Sequence, residues 1–296
     1  MIHKPVLLNE VLEIFDPKPG EIYIDATVNG GGHAYAILER IGPEGKLLGI
    51  DWDCELIDKL KVKSQKSKVT NLVLTCDNYV NLSTIVIEHN LGEVSGILFD
   101  LGFSSYQLAS SGRGFSFLRD EPLDMRFNTN ATRTNAATII NTWEGKAIED
   151  ILREYGGERF AERIVRGILY SRSRKKITTT RELVGVIYRS VPGWYLRRKI
   201  HPATRTFQAL RIAVNSELEN LTSALEDTPK LLRKGGIVAV ISFHSLENKI
   251  VKNFFRNAER QDILKVITPK PLRPTRFEIK ENTRARSARL RAAQKL

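Results

Sequence analysis

The sequence predicts an α/β fold, a Rossmann-like doubly wound sheet with an inserted helical domain, and three observations predict it. Short, continuous apolar runs alternate with helix-periodic stretches over the first third; polar helical segments break that alternation from about residue 110 to 200; the alternation then resumes. Strands separated by helices imply crossover connections and a parallel sheet. Strands apolar along their whole length fit a sheet covered on both faces. The expected divisions are residues 1–108 for the first part of the core, 109–205 for the insertion and substrate recognition, and 206–296 for the second part.

In order along the chain, residues 21–25 read as a strand and 33–41 as the helix after it. Residues 46–51 form a second strand, with Pro43 and Gly45 marking the turn before it. Residues 72–76 and 96–100 are the third and fourth strands. In the insertion, 151–170 carries helix-spaced apolar residues interrupted by Gly156 and Gly157. A single helix is expected over 206–232, stopped by Gly235 and Gly236. Residues 237–241 are the most apolar strand, and 246–255 the helix after it.

Bulk properties narrow the function. A chain of 296 residues with 42% hydrophobic content can bury a sizeable core, and no apolar run is long enough to span a bilayer. The first residues show no signal-peptide pattern. Cys54 and Cys76 have neither metal nor disulfide spacing, which reads as a reducing cytoplasm, and the scattered histidines suggest no metal site. The net charge of +12 favours a polyanionic partner. Its location agrees: Arg172, Arg174, Lys175 and Lys176 cluster, Arg197, Arg198 and Lys199 follow, and arginines crowd the C-terminal segment.

The loop Asp25-Ala26-Thr27-Val28-Asn29-Gly30-Gly31-Gly32-His33 joins the first strand to the first helix. Glycines let the backbone approach a ligand, and the helix start offers unpaired N–H groups. The G-x-G-x-x-G spacing of dinucleotide sites is absent, which disfavours a nicotinamide oxidoreductase. Asp25 beside the glycines suits a ligand with a cationic amino-acid end. Asp51 closes the second strand where an acid grips ribose hydroxyls in such folds. Asp77 could accept from an adenine amine; Tyr79 either covers that ring or packs in the core.

Asp100 closes the fourth strand and should face the same crevice. Amine methylation needs an acceptor for the N–H as nitrogen attacks a sulfonium methyl, and a carboxylate supplies one. The blander reading is a helix-capping Asp.

At this point the sequence resembles a known family. Gly30-Gly31-Gly32-His33, Asp100-Leu101-Gly102-Phe103-Ser104-Ser105, Arg113-Gly114-Phe115-Ser116-Phe117, Pro122-Leu123-Asp124-Met125-Arg126, the block from His201 to Arg211, the block from Ile241 to Glu247 and Arg284-Ala285-Arg286-Ser287 look like the ribosomal RNA small subunit methyltransferase H family. The resemblance runs from Pro5 to near the C-terminus. It implies a class I methyltransferase core that uses S-adenosyl-L-methionine to methylate N4 of a cytidine in the decoding centre of 16S rRNA. It also implies cofactor contacts at Gly31, Gly32, His33, Asp51, Tyr79, Asp100 and Gln107, with Asp100 catalytic. Asn29, Ser95, Tyr106 and Glu121 depart from the family's usual Gly, Asp, Pro and Gly.

Arg113, Phe115 and Phe117 offer a charge and two aromatics for a splayed base, although at least one Phe is expected to pack the insert. His201, Arg205, Phe243 and His244 are further substrate-pocket candidates, with a structural role equally open for His244. Arg284 and Arg286 could bind phosphate, or the segment 284–290 could be a closing edge strand with arginines outward. The expected partner is 16S rRNA, within the small ribosomal subunit, with no membrane involved and a homodimer left open. The rivals are an amino-methyltransferase acting on DNA or another RNA, and an assembly factor that keeps the fold without turnover.

Overall fold

The computed structural model describes residues 5–296, Ser105 by its backbone alone; the signal-peptide reading of the first four residues lies outside the described residues. The chain forms two compact units, Met1–Ser104 with Leu218–Leu296, and Ser105–Glu217.

The first unit is built on a seven-stranded sheet. Its strands are β1 (Ile22–Asp25), β2 (Lys46–Asp51), β3 (Leu72–Cys76), β4 (Val94–Asp100), β5 (Leu232–Ser242), β6 (Leu264–Val266) and β7 (Arg289–Lys295), in the order β3-β2-β1-β4-β5-β7-β6. The first five run parallel, and β7 is antiparallel to both of its neighbours. This is the doubly wound sheet expected of a class I methyltransferase. Successive side chains on a strand point to opposite faces, and the apolar strands therefore feed two cores. Tyr23, Leu47, Leu98 and Ala239 enter one; Ile24, Leu48, Ile97 and Val238 enter the other. The first face is closed by α1 (Leu8–Phe15), α2 (Gly32–Ile41) and α3 (Cys54–Lys66), through Val11, Ile37 and Ile57. On the opposite face α4 (Leu82–Glu88) contributes Leu82, Ile85 and Val86.

The second unit is helical: α5 (Ser105–Ala109), α6 (Ala136–Thr142), α7 (Gly145–Glu154), α8 (Ala161–Arg172), α9 (Thr180–Ser190), α10 (Gly193–Leu196) and α11 (Thr204–Asn215). Its core contains Ile139, Leu152, Ile164, Leu183 and Leu210. The break expected at Gly156 and Gly157 lies between α7 and α8, with Gly157 at φ +58°. Thr179 opens α9 in a capping box with Glu182, an arrangement that typically contributes about 1 kcal/mol.

The single helix expected over 206–232 is two. Ser216, at φ 49°, ends α11, and α12 (Glu217–Leu231) starts beyond it. Because Phe207, Leu210 and Val214 fill the helical core, the unit boundary follows Glu217 rather than residue 205. Leu221 and Leu225 of α12, with Val251 and Phe255 of α13 (Ser245–Arg260), complete the second face of the sheet. After β6 comes α14 (Arg276–Glu281). The edge-strand alternative for 284–290 is also corrected: Arg284 and Arg286 lie in a 3-10 turn, Thr283–Ser287. The strand that follows is β7, an interior strand whose residues Leu290 to Ala293 are buried; the short β6 forms the edge.

Candidate active site

Strand order reverses between β1 and β4, and ligands in such sheets bind beyond the carboxyl ends of the strands at that point. Asp25 closes β1, Asp51 closes β2 and Asp100 closes β4, and all three carboxyls are buried. The loop after β1 ties them together. Asn29, at φ 47°, donates its backbone N–H to Asp51 Oδ2 (2.9 Å), and its side-chain amide donates to the carbonyls of Thr27 (2.8 Å) and Asp100 (3.3 Å). Asn tolerates left-handed backbone better than most residues, so the departure from glycine keeps the loop closed. Asp51 Oδ1 accepts from Asp53 N (2.9 Å). Backbone N–H groups thus hold Asp51 at both carboxylate oxygens.

Packing acids together in a buried crevice raises their pKa values. Burial, partly offset by the N–H of Thr27 and reinforced by Asp51, pushes Asp25 up to about 7. Burial pushes Asp100 well above the usual carboxylate range, and the charges of Asp25 and Glu247 add to it. Asp100 Oδ1 is buried and has no hydrogen-bond partner among the described residues. An orphaned acceptor in a crevice of mutually repelling acids fits a cationic ligand and an N–H donor.

His33, one residue into α2, sits behind Asp100. Its Nε2 lies 3.0 Å from the Val6 carbonyl, which can only accept, so the proton belongs on Nε2. In the neutral ring the lone pair is then on Nδ1, which faces Asp100 Oδ2 at 3.6 Å. Gly31, at φ +79°, turns the chain into α2, and a Cβ there would stand 2.9 Å from the Tyr35 ring. Gly32 is pressed by Pro5, at 3.0 Å from an added Cβ. Gly30 is half-buried in the same loop.

On the β3 side, Asp77 Oδ1 accepts from Asn78 N (2.6 Å) and the Asn81 amide (2.9 Å). Tyr79 is half-buried and meets Phe99 edge-on at 5.7 Å, so it packs on the core while keeping exposed surface. Here the structure overturns one expectation: Cys54, opening α3, and Cys76, closing β3, form a disulfide with a Cα–Cα distance of 5.1 Å. Sequence separation hides the pairing, because β2 and β3 are adjacent parallel strands and residues just beyond their ends converge. The cytoplasmic reading drawn from unpaired thiols loses that support.

Beyond β5, Phe243 covers Gly102, whose added Cβ would meet the ring at 3.5 Å. His244 caps α13: its Nδ1 accepts from Glu247 N (3.4 Å), and Nε2 lies 3.0 Å from Glu247 Oε1. The ring thus serves the helix start through Nδ1, while Nε2 is buried and makes no hydrogen bond among the described residues.

In the helical unit, Gln107 is buried on α5. Arg113 donates to the carbonyls of Arg126 (3.2 Å) and Phe127 (2.7 Å), and Phe115 is buried and stacked on Phe127 at 5.5 Å. Both hold the insert together, as expected of one phenylalanine. Glu121, where the family usually has glycine, accepts from Gly114 N (2.9 Å). Phe117 is different: it is half-buried and stacked on His201 at 4.4 Å. His201 Nδ1 accepts from Ala203 N (3.2 Å), leaving Nε2 to donate to the Tyr188 hydroxyl (3.2 Å). Arg205 donates to the Gly157 carbonyl (3.0 Å). Val6, Thr27 and Asp53 escaped the sequence reading. Only Asp53 left a signal, two residues after Asp51.

The model of the MraW methylase family matches residues 1–296. A protein from Persephonella marina called ribosomal RNA small subunit methyltransferase H is 44% identical, with 99% of each chain covered. Proteins of the same name from Syntrophus aciditrophicus (43% identical, 99% of this chain and 98% of that one) and Fervidobacterium nodosum (46%, 99% and 97%) are as similar. The chain belongs to the MraW methylase family.

Proposed function

We propose that this enzyme methylates the exocyclic N4 of a cytidine in the decoding centre of 16S rRNA. The methyl donor is S-adenosyl-L-methionine. The observation that carries the reading is Asp100 Oδ1, a buried acceptor without a partner beside two further buried acids. The relatives' names support RNA of the small subunit as the substrate class.

The donor supplies, when bound, a methyl group on a cationic sulfonium together with a cationic α-amino end and a ribose. Asp51 would take the ribose hydroxyls, and Asp25 with residues 30–32 the amino-acid end. Tyr79 and Asp77 would flank the adenine. A cation in the crevice favours ionised carboxylates over protonated ones, which readies Asp100 to accept. Asp100 Oδ1 would then take a hydrogen bond from the amine, turn the nitrogen lone pair toward the methyl, and stabilise the charge growing on nitrogen. The proton passes to Asp100, and His33 Nδ1 stands behind it at 3.6 Å as the next acceptor.

Carbon 5 methylation of a pyrimidine commonly needs a thiolate that attacks carbon 6. Both cysteines are bonded to each other, and β3 lies three strands from β4, on the order of 14 Å away at the usual strand spacing. A nitrogen acceptor needs neither. In the helical unit, the Phe117–His201 stack with the half-exposed Tyr188 presents an aromatic surface suited to RNA bases. Mass spectrometry of 16S rRNA nucleosides from cells with and without the gene tests the reading. N4-methylated cytidine lost with the gene supports it; an unchanged nucleoside profile, or loss of 5-methylcytidine instead, overturns it.

A further inference from the structure

A cavity of about 120 Å³ opens between the start of α13, the 3-10 turn Thr283–Ser287 and the first residue of β7. Its lining includes Phe243, Ser245, Arg273, Arg286, Ser287 and Arg289. Three arginines from two segments, Arg273 before α14 and Arg286 and Arg289 in the continuous stretch 286–289, thus line one small space. None of the three is within ion-pairing distance of a carboxylate among the described residues, and none of their side chains donates a hydrogen bond there. Arg233 of the same unit, by contrast, is paired with Glu21. Gathering like charges without a counter-charge is unfavourable in the empty protein, so the arrangement is suited to an anion that arrives from outside. Neighbouring Arg291, buried and hydrogen-bonded to Asn248 (3.0 Å), is held below the usual arginine range by burial and by the charge of Arg289. The local potential is therefore positive. The start of α13 itself adds little, because His244 and Glu247 already cap it.

We propose that this cavity is a phosphate site that grips one backbone phosphodiester of the RNA beside the nucleotide being methylated. The inference rests on the function proposed above. Guanidinium forks and hydroxyls from Ser245 and Ser287 match the tetrahedral oxygens of a phosphodiester. The position relative to the chemistry comes from Phe243, which walls the cavity on one side and covers Gly102, two residues past Asp100, on the other. A phosphate held there fixes the sugar–phosphate backbone one side-chain layer from Asp100, leaving the base free to turn toward the carboxyl. The arginines position the RNA through its backbone and read no sequence.

The test is methylation of small ribosomal subunits by wild type, Arg286→Ala, Arg289→Ala and the triple variant Arg273→Ala/Arg286→Ala/Arg289→Ala, over a range of salt. Arg256→Ala, an exposed residue far along α13, is the control. Each pocket variant should raise KM about tenfold with kcat and cofactor affinity within about twofold of wild type. One neutralised phosphate of single-stranded RNA changes the slope of log(kcat/KM) against log salt by ~0.7. The triple variant should therefore lose no more than ~0.7 of slope, because the three arginines share a single phosphate. Unchanged KM in the triple variant, or a slope that falls in step with each arginine removed, would overturn the site. If wild type methylates no RNA, the function itself fails and the site with it; wild-type turnover with unaffected variants sinks the site alone.

Discussion

At the scale of single residues, the crevice is governed by buried carboxyls, two of which burial pushes above the usual carboxylate range, and this gives two predictions. The first concerns Asp25, whose pKa of about 7 lies above the ordinary aspartate value. A raised folded-state pKa contributes stability fully present below the unfolded value, near 4, and lost as pH rises through 7. The cofactor-free protein should therefore resist urea better at pH 5 than at pH 8, and Asp25→Asn should flatten that difference. A cationic ligand favours the ionised form, so cofactor binding near pH 7 should release protons and weaken as pH falls. Calorimetry in buffers of different ionisation enthalpy reads this directly, and buffer-independent heats would refute it. The second prediction separates binding from chemistry. Asp100→Asn keeps the shape but loses the charge, and single-turnover rates should fall by about 10²–10⁴-fold, the usual worth of a positioned base. Asp51→Ala should instead weaken cofactor binding by about 1–3 kcal/mol, because two backbone N–H groups and the ribose lose their acceptor. Near-normal turnover in Asp100→Asn, or unchanged affinity in Asp51→Ala, would reverse those assignments.

At the scale of elements, what was legible in the sequence and what was not follows the range of the interactions. β1, β2, β3 and the end of β4 are readable because each is a local apolar run that ends in a polar residue; Asp25, Asp51 and Asp100 then fall at strand ends by counting. Ser216 was not readable, since a left-handed serine between two helical patterns leaves no periodicity break. The placement of β7 inside the sheet depends on pairing with β5 and β6, both more than 20 residues distant in sequence. The Cys54–Cys76 bond was hidden for the same reason: only the β2–β3 register brings the two together. His244 shows the converse, a motif residue whose side chain also caps a helix. The disulfide closes a loop of 22 residues, and a cross-link of that span stabilises by about 3 kcal/mol in chain-entropy terms. The double variant Cys54→Ser/Cys76→Ser should unfold at lower urea while keeping its methylation rate below that midpoint. A folded, cofactor-binding variant without turnover would return a thiol to the mechanism.

At the scale of the whole molecule, the +12 charge is distributed unevenly in what it can do. The cluster around residue 172 is largely occupied. Arg172 donates to the carbonyls of Ile140 and Trp143 (both 2.8 Å), Arg174 lies over the Tyr170 ring at 4.3 Å, and Lys175 pairs with Glu182. Removing Arg172 would take the hydrogen-bond donor from the carbonyls at the end of α6 and confuse folding with binding. Arg197, Arg198 and Lys199 are the better probe: all are exposed, they follow α10, and they lie beside the half-exposed Trp194. Exposed cations on a surface act on RNA through counterion release, so each neutralised phosphate contributes separately to the salt dependence. Replacing the three with Ala should lower the slope of log affinity against log salt by up to ~2 and weaken RNA binding most at low salt. Cofactor affinity should be unchanged, because Asp25, Asp51 and Asp100 all belong to the other unit. Filter binding to small-subunit RNA over a tenfold range of salt makes the measurement. A slope equal to that of wild type would show these residues to be an ordinary solvated surface, and the charge that steers RNA would then have to be sought among the C-terminal arginines.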